Sequence, residues 1–433
     1  MKVQIFEPFA GGHHTEYVAF LLPALVRLLD AGRIEQIVLT TTSRHRESTA
    51  FAESILAFES KVSFDVVPSG DIYGSGTTVA NILLASIERN RPDFIVSTSA
   101  DNGALALALR CLFRSDFRAR RIRSAGVFHY GACGEVRGVR NRVRDNLQRF
   151  ARRFSPWTEL QFVNPLLFEF TKRRALLANG RAKLLPHPVA TKPAIAKADA
   201  RRTLGIPVDG TYIGQIGKSD GRKAVPELLA AFRAADLPSD RRLLLAGTQY
   251  GPYRELLDRQ YADLIQSGRL VVLDRYLRSE EFHVANCAVD VVSVAYYTDQ
   301  LSANLLAAVA AERPVIGDRR GYTGMMIDTF DVGYAADVRD HAALTSAVVS
   351  AMQRGPGFAL SAKARRLLEF HSPQNFVDTL LGGLYERLGV EQATTKSWDW
   401  ALGAPLASSG GGLEDADPLR PIVLGPGVTG SLR

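Results

Sequence analysis

Cysteine is scarce in this chain. Only Cys111, Cys133 and Cys287 occur, far apart and with no CxxC spacing. That pattern argues against a disulfide framework and a structural zinc site, and it fits a reducing compartment. Long apolar runs are missing too. The longest, YVAFLLPALVRLL, is broken by Pro23 and Arg27, which leaves no transmembrane helix. The opening residues MKVQIFEPF read as a strand, not as a signal peptide, so the expected location is cytoplasmic. No GxGxxG follows a strand, no HExxH surrounds His13 and His14, and no DxD stands on a strand-end loop. No metal and no bound cofactor is therefore expected. No repeat of solenoid period is present.

What the chain does have is alternation. At 433 residues it exceeds one ordinary core, and two domains are expected. Its 46% hydrophobic and 23% charged residues are those of a globular protein, and its net charge of +8 favours anionic partners. In the first half the short apolar, β-branched runs VQIFEP, QIVLTT, VSFDVVP, DFIVST, AGVFHY and ELQFVN alternate with helical patterns. KLLPHPVATKPAIAKADARRTLG, with Pro186, Pro188 and Pro193, reads as a linker. Beyond it the pattern restarts with TYIGQIG, RLLLAG, LVVLDR, DVVSVAY, RPVIGD and GYAAD. The expected architecture is α/β, with two Rossmann-like, doubly wound domains facing a cleft, over residues 1–190 and 191–370. FHSPQNFVDTLLGGLYERLGV reads as one amphipathic helix over 371–391, and residues 392–433 as a disordered tail rich in Gly, Ser, Pro and Asp.

The most informative stretch is IGKSDGRKAV, residues 216–225. It places Gly217, Lys218, Arg222 and Lys223 in one strand-to-helix turn. Such turns open at the carboxyl edge of a parallel sheet, where ligands bind and helix N–H groups point. Cations backed by amides suit a phosphate or diphosphate; the bland alternative is a solvated basic loop. The stretch YYTDQLSANLLAAVAAE places Asp299 in a loop after a strand and Ser302 as N-cap of a helix that begins at Ala303 and Asn304. That helix start is a second candidate for the anion; otherwise it is a capped core helix. The first βα turn, FEPFAGGHHTEY, puts Gly11, Gly12 and His13 where a ligand could approach the backbone, or where a plain tight turn is needed. His129, at the end of AGVFHYG, stands where chemistry occurs in this architecture, or is a satisfied buried histidine.

GEVRGVRNRVRDNLQRFARRF carries Arg137, Arg140, Arg142, Arg144, Arg149, Arg152 and Arg153, with Val139, Val143, Leu147 and Phe150 on another face. It reads as an ordinary solvated helix face, or as a surface for anionic lipid at the inner face of a membrane. Nucleic acid is not an expected partner, because aromatics are not interleaved and no reading module is present.

On these residues the second half resembles the GT-B glycosyltransferases, and most closely the retaining family 4. In that family's turn a glycine and an arginine precede an arginine–lysine pair; here Lys218 replaces the first arginine, and Arg222 and Lys223 stand in register. PELLAAFRAA, LLLAGTQYGPYRELL and FHSPQNFVDTLLGGLYERL resemble its following helix, its next strand and loop, and its closing crossover helix. The resemblance implies a hexosyltransferase-like, metal-independent enzyme whose co-substrate is a nucleotide sugar and whose acceptor is a glycan, a lipid-linked sugar or a small molecule. It implies that Lys218 and Lys223 hold the donor diphosphate, that His129 and Asp299 orient the sugar, and that Gly217, Arg222, Ser302, Ala303 and Asn304 line the donor site. Gly11, Gly12 and His13 would then lie on the acceptor or phosphate side. The family has two glutamates eight positions apart; here those positions hold Asp299 and Ala307, so the second carboxylate is lost. That loss leaves a non-catalytic nucleotide- or glycan-binding scaffold as one alternative. A nucleotide-sugar epimerase is another.

Overall fold

The computed structural model describes residues 1–10, 13–68, 72, 74–113, 123–129, 139–173, 181–297, 301–391 and 395–402, without the side chains of 13, 113, 140, 141 and 173. Two compact units divide the chain. The first holds Met1–Pro188 and Pro373–Thr395, the second Val189–Ser372 and the segment that starts at Lys396.

The first unit is built on a seven-stranded sheet in the order β3-β2-β1-β4-β5-β6-β7. Its strands are β1 (Lys2–Phe6), β2 (Gln36–Thr42), β3 (Val62–Val67), β4 (Phe94–Ser97), β5 (Arg123–Phe128), β6 (Glu159–Phe162) and β7 (Ala182–Leu184). Every pairing is parallel. Parallel strands need crossovers, which the intervening helices supply. The order turns back between β1 and β4, so the switch point of this sheet lies beyond their carboxyl ends. Val3 and Ile5 of β1 pack with Tyr17, Leu21 and Leu25 of the helix His13–Asp30, and with Phe376, Leu380 and Leu384 from the C-terminal segment.

The second unit has a six-stranded sheet, also parallel, in the order β10-β9-β8-β11-β12-β13. The strands are β8 (Thr211–Ile216), β9 (Arg241–Ala246), β10 (Leu270–Leu273), β11 (Val291–Val294), β12 (Val315–Asp318) and β13 (Gly333–Ala336). Its switch point lies between β8 and β11. Ile213, Leu243 and Val291 from the sheet pack with Leu228, Leu229 and Phe232 of the helix Val225–Ala234. Among the described residues no helix is long and apolar enough to cross a membrane.

Three segments differ from the sequence reading. The expected linker holds two elements: its first residues, Lys183 and Leu184, end β7, and Lys197–Leu204 is a helix. A three-residue edge strand is too short to show a period. The helix has no side-chain N-cap hydrogen bond to announce it. The expected single helix over 371–391 is two, Pro373–Leu380 and Gly382–Leu388, parted at Leu381 before the Gly382–Gly383 pair. Within the expected tail, Trp398–Leu402 is a short helix. Its Trp398 ring lies 5.6 Å from Phe330 and 5.2 Å from Phe370, burial that the polar composition around it conceals.

Candidate functional site

The turn after β8 is shaped by close backbone approach. Gly217 has φ +85° and donates its N–H to the Ala246 carbonyl at 2.7 Å. Gly247, at φ +136°, lies so near that a Cβ there would stand 2.5 Å from the Gly217 carbonyl carbon. Gly247→Ala combines backbone strain of about 1–3 kcal/mol with that clash. The expected result is a lower urea midpoint, and an unchanged midpoint would show that this turn is not fixed as described.

Lys223 closes the turn. Its N–H donates to the Asp220 carbonyl at 2.9 Å, and it forms an isolated antiparallel bridge with Tyr296, just past β11. The segments after β8 and β11 are thereby tied together at the switch point. The Lys223 side chain is 7% exposed, and its Nζ donates to the Ile216 carbonyl at 3.2 Å and lies 5.7 Å from the Tyr296 ring centre. An ammonium has three donors and is costly to bury without an anion. Among the described residues no carboxylate forms an ion pair with Lys223 or Lys218. Lys218 is exposed, with Nζ 4.3 Å from the Tyr250 ring centre. Arg222 is turned outward: it is 62% exposed and paired with Asp220 at 2.7 Å. The Asp220 carboxyl is partly buried, which would raise its pKa; bonding from Arg222 and the charges of Arg222 and Lys223 hold it below the usual range.

The helix Ala303–Ala310 begins at the same point. Ser302 is its N-cap, accepting the Leu305 N–H at 3.2 Å. Asn304 Nδ2 donates to the Ile216 carbonyl at 3.2 Å, the oxygen that Lys223 also uses. Asn304 Oδ1, Ser219 Oγ and Gln249 Oε1 are buried with no hydrogen-bond partner among the described residues. Ser219, after β8, and Gln249, after β9, form an isolated parallel bridge. Buried polar atoms left this way are uncommon in a structural loop and ordinary at a ligand site. Gly217, Lys218, Lys223, Ser302, Ala303 and Asn304 therefore lie together at one sheet edge. Ala307, on the next turn of that helix, is half-buried and brings no carboxylate. Asp299 lies outside the described residues.

Three neighbours escaped the sequence reading. Tyr250 flanks Lys218, and Tyr296 and Tyr297 follow β11. Tyr297 donates its N–H to the Arg222 carbonyl at 2.9 Å. Burial, then bonding to Glu227, pushes its phenol far above the usual pKa, so it stays a neutral donor. The YYT run directly after a strand was the available signal.

The first unit carries a second polar cluster at its own switch point. Glu7, just past β1, is fully buried. It accepts from His14 Nδ1 at 2.9 Å, Thr98 Oγ1 at 2.5 Å, Ser99 Oγ at 3.2 Å and the Phe9 N–H at 2.9 Å. Thr98 and Ser99 directly follow β4, so both central strands feed this knot. Burial alone would raise the Glu7 pKa; the His14 charge and these bonds bring it below the usual value. Burial would likewise lower that of His14, but the Glu7 charge and bond raise it, which favours the charged form of the pair. His45, bonded to Thr15 and Thr41, is held neutral by its burial. His129 directly follows β5 and is 8% exposed; its N–H donates to Asp101 Oδ2 at 2.7 Å, and its ring stacks on Tyr17 at 5.7 Å. Gly11 and Gly12 lie outside the described residues. His13 opens the first helix, but its side chain is likewise outside the description. Sequence reasoning weighed His13 and His14 as hydrogen-bonding candidates and missed Glu7, which looked like one more polar residue at a strand end.

Among the described residues no three His, Cys, Asp or Glu side chains gather closely enough to hold a metal ion. The described cysteines, Cys111 and Cys287, are both buried.

No protein-family model matches this chain, and no curated protein matches it in sequence. Solved structures do match in fold. Anabaena HepE in complex with UDP-glucose superposes with a TM-score of 0.64 at 12% identity, covering 89% of this chain and 100% of that one. Sucrose-phosphate synthase from Thermosynechococcus elongatus gives 0.63 at 18% identity, covering 90% and 99%. WaaG, a glycosyltransferase involved in lipopolysaccharide biosynthesis, gives 0.57 at 13% identity, covering 89% and 99%. At these identities the likeness establishes the fold alone: two α/β domains with parallel sheets, the fold class called GT-B.

Proposed function

We propose that this protein is a glycosyltransferase that moves a sugar from a nucleoside-diphosphate sugar to an acceptor hydroxyl. The observation that carries the reading is the buried Lys223 ammonium at the β8/β11 switch point, which shares the Ile216 carbonyl with Asn304 at the start of a capped helix. Two structures that share the fold support it, since one holds UDP-glucose and another is a glycosyltransferase of lipopolysaccharide synthesis.

In this reading Lys223, Lys218 and the amides at Ala303 and Asn304 bind the diphosphate. The barrier lies in breaking the bond between anomeric carbon and phosphate oxygen while the diphosphate gains charge. Fixed cations and amides aimed at that charge stabilise the departing group without reorganising. These side chains supply the positive charge, so transfer is expected to persist in the presence of EDTA. The configuration at the anomeric carbon is retained, with the departing phosphate accepting the proton of the incoming hydroxyl. Asp299 and His129 orient sugar hydroxyls, and Gly11, Gly12 and His13 line the acceptor side. Ser302 fixes the helix start. Arg222, engaged by Asp220, plays the lesser part among the cations.

The test is incubation with sugars of uridine, guanosine and adenosine diphosphate, followed by detection of released nucleotide. Slow hydrolysis of at least one donor is the expected result. Ala307, where a carboxylate would contact the ribose, favours a second reading in which the protein binds nucleotide as a scaffold without turnover. Tight binding with no release would select that reading, and an isomerised donor would select an epimerase.

A further inference from the structure

The helix Val139–Arg153 is inside out. Its only acidic residue, Asp145, is buried and pairs with Arg149 at 2.5 Å. The Arg149 guanidinium lies 5.0 Å from the Phe170 ring centre, on the helix Pro165–Arg173, and Arg152 is 3% exposed. Three of its large apolar residues face the other way: Val139 is 71% exposed, Val143 53% and Leu147 44%. These recur at i, i+4 and i+8, which sets them on one stripe. Exposed Arg142 and Arg153 border that stripe on one side and exposed Arg144 on the other. The helix Ala104–Phe113 packs against this one and exposes Leu109 and Leu112, each 42%. Half of the ten large apolar side chains that stand exposed among the described residues lie on these two helices. Scattered exposed apolar residues need no explanation, but a stripe of them along one helix, beside a packed helix that exposes two more, marks a surface that something covers.

We infer that this face is a docking surface for an anionic lipid bilayer. Charge decides the occupant. Among the described charged residues of the helix, every exposed one is an arginine, and the one carboxylate is turned inward and neutralised by Arg149. An apolar stripe between arginines matches the interfacial plane, where side chains such as Val143 and Leu147 enter the acyl boundary and the arginines meet phosphate headgroups. The chain's excess of positive charge acts in the same direction. The interaction is peripheral and reversible.

Flotation of the full chain with vesicles tests this. Wild type binds phosphatidylcholine vesicles that contain phosphatidylglycerol and stays free of pure phosphatidylcholine vesicles. Val143→Glu with Leu147→Glu lowers binding at least about tenfold, because two charges must then enter the boundary. Arg142→Gln with Arg153→Gln weakens binding to the anionic vesicles by about fivefold for each arginine. All four side chains are solvent-exposed, so both variants should melt with wild type. Absence of wild-type binding would overturn the proposal, as would equal binding by all three proteins. So would a dimer, seen by sedimentation velocity, that the glutamate pair dissociates while vesicle binding is unchanged.

Discussion

Lys223→Ala is expected to lower glycosyl transfer by about a hundredfold to a thousandfold, the loss seen when one preorganised donor to a developing negative charge is removed. The effect should be large because the ammonium is buried and carries its charge where other polar groups of the turn converge. Lys223→Arg should recover little, since the wider, planar guanidinium does not fit a site built around a compact ammonium. Lys218→Ala should cost less. Lys218 is exposed, and its charge is screened by water. The folded state can be checked separately: loss of turnover with an unchanged far-ultraviolet spectrum assigns the effect to the site. Turnover within twofold of wild type in Lys223→Ala would remove the diphosphate role.

Glu7→Ala should destabilise the first unit by about 3–5 kcal/mol, because it strands the buried His14 cation and three further donors. Glu7→Gln keeps the shape and should cost less, about 1–3 kcal/mol. The pair also sets a pH window. The Glu7 pKa is lowered on folding, so its stabilisation is present above its ordinary value of 4.5 and lost as pH falls through the folded value. The His14 pKa is raised, so its stabilisation is complete below 6.5 and lost as pH rises through the folded value. The pair therefore contributes most between these limits. His45 acts oppositely: its lowered pKa favours the neutral ring, and its contribution fades as pH drops below 6.5. The signature is thus the difference in urea stability between wild type and His14→Gln. It should be largest near about pH 5.5 and shrink toward alkaline pH. A difference that is flat with pH would show that the pair is not ionic.

Much of the fold was legible because it is repetitive. Each central strand is a short β-branched run buried on both faces, as in QIVLTT and DVVSVAY, and such runs separated by helical patterns permit little except a parallel sheet. The N-cap at Ser302 was legible for the same local reason. Elements without a local signature were not. The edge strand Ala182–Leu184 exists because β6 offers it a partner, and Trp398–Leu402 because Phe330 and Phe370 offer Trp398 a place to pack. The Glu7 knot joins residues up to 92 positions apart, which no spacing rule reaches. The arginine-rich helix shows a different limit. Periodicity separated its two faces correctly, but which face turned inward was decided by Asp145, Arg149 and Phe170.

Calorimetric titration of the intact protein with uridine, guanosine and adenosine diphosphates tests the central claim most directly. Saturable binding of at least one of them, weakened at least about tenfold by Lys223→Ala, is the predicted result. Absence of heat and of saturation for all three, with protein that melts cooperatively, would contradict it.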